Sequence, residues 1–167
     1  MPELMYITAL GEDSHRFLPE TSDKALVLGG LVIEGYPGLE GNSDADVILH
    51  ALTNAISGLS AKPVLGERAD RLCQAGDRNS QTYLRLALAD LALDPRGFRL
   101  LHLSVSLEGS RPHFADLSDP IRANLAQLLR LEKQQVALTA TSGEDLSSFG
   151  RGEGLRCSCL LSASCRY

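Results

Sequence analysis

The chain has 167 residues, with 16 basic and 21 acidic side chains and a formal net charge of −5. Hydrophobic residues make up 44% and charged residues 22%, a globular composition that excludes a disordered chain, a collagen-like chain and a disulfide-rich miniprotein. The acidic balance argues against a general nucleic-acid binder, and no apolar run is long enough to span a bilayer. We therefore expect one domain over residues 1–167, with neither nucleic acid nor a membrane as its partner.

The cysteines and the first residues together indicate a reducing compartment. Three of the four cysteines lie within residues 157–165. Residues 1–15 carry no lysine or arginine before a short apolar run, unlike a secretory signal. We therefore expect a cytoplasmic protein whose thiols are reduced.

The first predicted elements are two β segments and a helix. Leu4–Leu10 is typical of a short strand, and Ala25–Ile33 is a β-rich run that turns at paired glycines. Apolar residues at helical spacing predict a helix over Asp44–Leu59, with Ser43 or Asp44 as its cap. The hydrophobic stripe of this helix predicts that it packs against the sheet.

The rest of the chain continues to alternate between helix and strand. This alternation predicts an α/β (α+β) fold, in which the helices pack on one face of a mixed β-sheet. The segments are an irregular loop over residues 60–77, a helix near Gln81–Leu93 capped by Asn79 or Ser80, a strand at Phe98–Leu107, a helix opening at Asp119-Pro120, and strands at Gln135–Ala140 and Leu155–Ser162.

One set of residues has the composition of a metal site. Asp13 and His15 are two residues apart, so their side chains can point the same way, although most such triplets are surface loop. His50 lies in the first predicted helix, and Asp46 one turn earlier could orient its ring; alternatively, His50 is a hydrogen-bonded core histidine. One carboxylate and two imidazoles suit a catalytic zinc ion with one open coordination position.

A second candidate is the glycine-rich segment Thr139–Gly154. Successive small residues allow backbone N–H groups to converge on a phosphate. Glu144 within it could hold a divalent cation that bridges phosphate oxygens. The alternative is a mobile connection between strands with solvated charges.

Three motifs give the sequence a family resemblance. GEDSHRF (residues 11–17), SDADVILHALTNAISG (43–58) and FGRGEG (149–154), in this order, resemble the 2-C-methyl-D-erythritol 2,4-cyclodiphosphate synthase family. The resemblance implies a phosphorus–oxygen lyase of isoprenoid (terpenoid) biosynthesis by the non-mevalonate route. It also implies a homotrimer of α/β subunits with an active site at each subunit interface.

The resemblance assigns a role to most of the candidate residues. It implies that Asp13, His15 and His50 bind Zn²⁺, and that Glu144 binds Mg²⁺ or Mn²⁺ between the two phosphates of the substrate's cytidine diphosphate. It places Asn42, Ser43 and Arg151 in the remaining part of the site, which contacts the substrate and its phosphates. The residues implied to bind the nucleotide are Pro112, His113, Phe114, Ala115, Ala140, Thr141 and Ser142.

The implied reaction is an intramolecular phosphoryl transfer. The 2-phosphate of the substrate attacks the β-phosphorus, CMP leaves, and a cyclic diphosphate forms. Little covalent work falls to the protein in such a reaction, so positioning and charge neutralisation dominate.

The sequence departs from the family pattern where the methylerythritol portion would bind. Asn42 stands where the family has histidine, Val64 where it has an aspartate that accepts hydroxyl hydrogen bonds, and Thr139 where it has lysine. These changes leave a second hypothesis open. The chain would then be a divergent trimeric homologue that binds metal and nucleotide, with lost or altered catalytic activity.

Overall fold

A four-stranded mixed sheet is the frame of the molecule. The computed structural model describes residues 3–166. Strand β1 (Leu4–Arg16) pairs antiparallel with β6 (Gly154–Arg166). Strand β4 (Arg99–Glu108) pairs antiparallel with β6 and parallel with β5 (Val136–Thr141), which gives the order β1-β6-β4-β5. The predicted mixed sheet is confirmed.

The helices follow the predicted alternation with the strands. A two-stranded sheet of β2 and β3 precedes helix α1, which packs against β1 and β6 and is buried at twelve of its fourteen positions. No helix within residues 3–166 is both long and apolar enough to cross a membrane. The remaining elements are β2 (Ala25–Leu28), β3 (Leu31–Pro37), α1 (Val47–Ser60), α2 (Glu67–Gln74), α3 (Ser80–Ala92), α4 (Ser118–Leu129) and a 3₁₀ turn at Lys133–Gln135.

The two faces of the main sheet differ in what covers them. On β4, Leu103, Val105 and Leu107 are fully buried under the helices, as the alternating sequence predicts. The opposite face exposes apolar side chains of β1 and β6, among them Leu10 at 60% and Leu160 at 46%, which are direct cross-strand partners. This part of the sheet face is therefore apolar and accessible.

Helix α2 corrects the prediction of an irregular loop over residues 60–77. Four of its eight residues are charged, and only Ala69 is buried. Its apolar stripe consists of Ala69, Leu72 and Cys73 and spans little more than one turn, which is too short to predict a helix from the sequence. Its N-cap, Gly66, also makes no side-chain capping hydrogen bond.

Two strands are longer than predicted. β1 extends to Arg16 and β6 to Arg166, because the two strands remain paired along their full length. Asp13 and His15 therefore lie within β1 rather than after it. Both side chains point to the same face of the strand, because residues two apart in a strand share a face.

Candidate functional site

Asp13, His15 and His50 converge at the junction of β1 and α1. The Asp13 Oδ2 atom lies 2.8 Å from His15 Nε2 and 3.0 Å from His50 Nδ1, and the two ring nitrogens are 3.2 Å apart. These ligand atoms could hold one metal ion. One oxygen and two nitrogen donors suit zinc and leave a coordination position open.

A glycine in β1 allows the helix to approach this cluster. A Cβ atom on Gly11 would lie 2.0 Å from the carbonyl oxygen of Ala51 in α1. Because no side chain stands there, the helix backbone rests directly on the strand, two residues before Asp13. This close approach brings His50 to the two ligands of β1.

The electrostatics of the cluster keep Asp13 ionised. Burial disfavours the charged carboxylate, but the favourable interactions of that carboxylate with the His15 and His50 imidazoles outweigh burial and lower the pKa of Asp13 to about 2. The three side chains remain partly open, with exposed fractions of 23% for Asp13, 20% for His15 and 10% for His50. An anionic ligand atom is therefore in place at neutral pH.

The far side of the His50 ring is held by serine hydroxyls. His50 Nε2 lies 2.9 Å from Ser80 Oγ and 3.3 Å from Ser43 Oγ. Ser80 is fully buried, and its hydroxyl also donates to the carboxylate of Asp44. The sequence indicates Ser80 only as a candidate helix cap. The cap is Asn79, and the Ser80 hydroxyl instead reaches across to His50 in α1.

The prediction that Asp46 orients the His50 ring is wrong. Asp46 is the N-cap of α1, in place of the predicted Ser43 or Asp44. Its carboxylate accepts hydrogen bonds from four backbone N–H groups, which leaves it no capacity for the imidazole. The donors are Gly29 at 2.9 Å and Gly30 at 2.6 Å in the β2–β3 turn, and Ile48 at 3.1 Å and Leu49 at 3.0 Å in the helix.

Asp13, His15 and His50, together called the metal cluster, lie at the wall of a cavity that helix α2 lines on one side. Its volume is about 320 Å³, and Asn42 and Ser43 are part of its wall. A second, polar cavity of about 540 Å³ adjoins it and shares Gly41, Asn42, Asp70 and Cys73 with it. The remaining residues of this second cavity are Gln74 and Arg78.

Val64 does not face either cavity. Its side chain is fully buried in the core beneath α2, and its neighbours Leu65 and Gly66 line the metal cavity instead. The side chain at position 64 therefore does not contact a molecule bound in either cavity. Asp70 is the exposed carboxylate that α2 adds to this region.

The seven residues implied to bind a nucleotide lie together in a different place. They line a cavity of about 430 Å³ between the segment after β4 and the end of β5. No residue lines both this cavity and the metal cavity. The seven are Pro112, His113, Phe114, Ala115, Ala140, Thr141 and Ser142.

The glycine-rich loop holds the two remaining candidates. Glu144 is exposed, next to the nucleotide-sized cavity, and accepts a hydrogen bond from Ser142 Oγ at 3.2 Å. Arg151 folds back on the loop and donates to Glu153 at 3.2 Å. The structure thus brings neither of them to the Asp13 cluster within one chain.

The sequence over this fold matches a known family. Residues 6–164 match the profile of the YgbB family. The chain belongs to this family. The match covers all the helices and all but the outer two residues of β1 and β6, and it includes Asp13, His15, His50 and the residues of all three cavities described above.

Relatives of this YgbB chain are named for one activity. It is 42% identical over 161 residues to a 2-C-methyl-D-erythritol 2,4-cyclodiphosphate synthase of Chlamydia muridarum, covering 96% of this chain and 89% of the relative. A synthase of the same name from Chlamydia trachomatis serovar D is 40% identical over an alignment of 169 positions, which covers 99% of this chain and 93% of the relative.

Solved structures agree with this relationship. The bifunctional IspDF from Campylobacter jejuni matches with a TM-score of 0.84 and 27% identity, over 99% of this chain and 44% of that longer protein. A 2C-methyl-D-erythritol-2,4-cyclodiphosphate synthase in its CDP-bound form matches with a TM-score of 0.76 and 27% identity, over 93% of this chain and 98% of that one.

Proposed function

We propose that the chain is a 2-C-methyl-D-erythritol 2,4-cyclodiphosphate synthase, a phosphorus–oxygen lyase of isoprenoid biosynthesis by the non-mevalonate route. The observation that carries this proposal is the convergence of Asp13, His15 and His50 on one point. This convergence occurs in a chain that is 42% and 40% identical to two named synthases, over 96% and 99% of its length. The free cysteines support a cytoplasmic location.

The metal cluster would act on the phosphates of the substrate. Asp13, His15 and His50 would hold Zn²⁺, which when bound polarises a phosphate oxygen as a Lewis acid. The protein's own task is to hold the 2-phosphate in line with the β-phosphorus. A new P–O bond then forms at the β-phosphorus, the bond to the CMP oxygen breaks, and CMP leaves.

The nucleotide end of the substrate would occupy the cavity formed by the seven residues after β4 and at the end of β5. A volume of about 430 Å³ suits a nucleoside-sized group. Glu144 beside this cavity would hold Mg²⁺ or Mn²⁺ between the two phosphates, because a carboxylate oxygen is a ligand that such hard cations prefer. Arg151 in the same loop would contribute positive charge near them.

The methylerythritol end would occupy the polar cavity beside the metal cluster. Asp70 would accept hydrogen bonds from the hydroxyl groups, replacing the carboxylate that position 64 does not supply. Asn42 is shared by both cavities and would contact the reacting phosphate. The Arg78 guanidinium on the far wall would pair with phosphate charge.

The active site would be completed by a second copy of the chain in a homotrimer. The metal cavity and the nucleotide-sized cavity share no residue, yet one substrate must reach both. The uncovered sheet face, with Leu10 and Leu160 exposed side by side, supplies an apolar surface for association. A closed threefold arrangement would bury this face in each copy.

The experiment uses the diphosphocytidyl methylerythritol 2-phosphate substrate with Zn²⁺ and Mg²⁺. We expect CMP release matched by a cyclic diphosphate signal in ³¹P NMR, and loss of both in the His50→Ala variant. CMP binding without turnover would contradict the proposal and support a homologue that has lost catalysis. Light scattering that reports an 18.0 kDa monomer would contradict the shared site.

A further inference from the structure

The two nitrogens of the His50 ring face different groups. Nδ1 faces the metal cluster, 3.0 Å from Asp13 Oδ2, while Nε2 lies 2.9 Å from Ser80 Oγ. Ser80 is fully buried between α1 and α3, and its hydroxyl also contacts Asp44. The buried Ser80 hydroxyl therefore bridges the Asp44 carboxylate and the Nε2 side of the His50 ring, which faces away from Asp13.

The direction of these hydrogen bonds follows from the chemistry of the groups. An ionised carboxylate only accepts, so the Ser80 hydroxyl donates its single proton to Asp44. The backbone N–H of Ser80 donates to the other Asp44 oxygen at 3.1 Å and holds the carboxylate in place. Ser80 Oγ then has only lone pairs to offer His50, so Nε2 must carry the proton and donate it.

This proton arrangement decides which nitrogen is available to a metal. A neutral imidazole carries one proton, and with that proton on Nε2 the lone pair lies on Nδ1, which faces the cluster. Histidine ligands in metal sites regularly donate their other ring N–H in this way, and loss of the partner typically weakens metal affinity about 10–100-fold.

We propose that Asp44 and Ser80 are positioning residues that hold His50 as an Nδ1 metal ligand. The inference rests on the metal site of the proposed function. Ser80 sets the ring orientation and the proton position, and Asp44 sets the direction of the Ser80 hydroxyl. Neither residue is one of the three clustered side chains, and neither lines the cavity beside them.

The first test measures Zn²⁺ affinity by competition with a chromophoric chelator. We expect Ser80→Ala to weaken affinity at least about tenfold. Asp44→Asn should weaken it as well, because the asparagine N–H₂ can donate to Ser80 and free the hydroxyl to donate to Nε2, which favours the wrong tautomer. The matched control is Ser57→Ala, which removes a buried α1 hydroxyl with no hydrogen-bond partner in the described residues, and should leave affinity unchanged.

The second test detects the hydrogen bond between His50 Nε2 and Ser80 Oγ directly. In the zinc-loaded protein, the His50 Nε2–H should give a protected downfield resonance in ¹H NMR, and Ser80→Ala should abolish it. Wild-type zinc affinity in both Ser80→Ala and Asp44→Asn, or absence of this resonance in the wild-type protein, would overturn the inference. Failure of the wild-type chain to bind zinc would instead overturn the proposed function on which the inference rests.

Discussion

A Cβ atom placed on Gly11 of β1 would lie 2.0 Å from the carbonyl oxygen of Ala51 in α1. The absent side chain is thus the reason that the helix carrying His50 can rest on the strand carrying Asp13 and His15. The spacing of the Asp13, His15 and His50 side chains depends on this contact between two backbones.

Gly11→Ala should therefore disrupt both the fold and the metal cluster. Two backbones must separate to admit the methyl group, and we expect a loss of about 3 kcal/mol in the free energy of unfolding, together with a large loss of zinc affinity. Chemical denaturation and chelator competition measure the two effects. The matched control is Gly58→Ala in α1, where a Cβ atom would meet only Ala9 Cβ at 3.4 Å.

Gly58→Ala should raise the free energy of unfolding by about 0.5–1 kcal/mol, because alanine is favoured over glycine inside a helix. Gly11→Ala with wild-type stability and wild-type zinc affinity would show that the helix and strand can separate without consequence, which contradicts the packing described above.

The end of α1 offers a stabilising substitution. Ala61 is the exposed C-cap and has a φ of 56°, in the left-handed region that favours glycine. Ala61→Gly should raise the free energy of unfolding by about 1 kcal/mol, measured by denaturation in urea. Ala75→Gly is the control, since the C-cap of α2 has a φ of −77° and glycine gains nothing there. Equal effects of the two substitutions would contradict the conformational argument.

The Asp94 carboxylate, which lies outside the candidate site, should cause part of the pH dependence of the free energy of unfolding. Hydrogen bonds from the Arg96 guanidinium and backbone lower the pKa of Asp94 to about 2, below its ordinary value of 3.8. Arg96 also donates to the carbonyl of Leu59, near the end of α1. The folded state thus gains stability from ionised Asp94 above about pH 4, and loses it as pH falls toward 2.

Thermal denaturation of the wild type and of Asp94→Asn at several pH values measures this effect. The difference in Tm should be largest near neutral pH, should decline as pH falls through about 2, and should vanish below that pH. The control is Asp23→Asn, at an exposed carboxylate with no hydrogen bond or ion pair among residues 3–166. A Tm difference that grows as pH falls would contradict the assigned sign.

The sequence predicts the metal cluster well because its signals are local or carried by the family resemblance. Asp13 and His15 share a strand face, and His50 lies on a strongly apolar helix, so spacing and motif together identify the set. Ser80 escapes detection because it meets His50 across 30 residues, through tertiary packing that no local pattern reveals. Asp46 shows the converse, that a local pattern can predict a contact that does not form. A carboxylate one helical turn before a histidine has the spacing of a hydrogen-bond partner, but here it serves as the helix cap.

Helix α2 is the part of the fold that sequence patterns miss, and it changes the interpretation of substrate binding. Its apolar stripe of Ala69, Leu72 and Cys73 spans little more than one turn, so the sequence pattern indicates a loop. Once it forms, Val64 is enclosed in the core and Asp70 stands on the wall of the polar cavity. Restoring an aspartate at position 64 would therefore bury a charge rather than rebuild a binding group.

Asp70→Asn tests the assignment of the methylerythritol end to this cavity. We expect KM for the full substrate to rise about tenfold, because loss of the charge weakens hydrogen bonds from substrate hydroxyls. The affinity for CDP, which lacks the methylerythritol portion, should not change. Glu67→Gln, on the same helix but outside both cavities, is the matched control. An unchanged KM would place the polyol elsewhere.

The central claim is that Asp13, His15 and His50 hold the metal on which CMP release depends, and a zinc titration of metal-free protein tests it most directly. With Mg²⁺ and substrate present, we expect CMP release to rise from background in proportion to added Zn²⁺ and to level off at one equivalent per chain, with no recovery in His50→Ala. Metal-free protein that releases CMP at the fully loaded rate, or His50→Ala protein that recovers with zinc as the wild type does, would contradict the account.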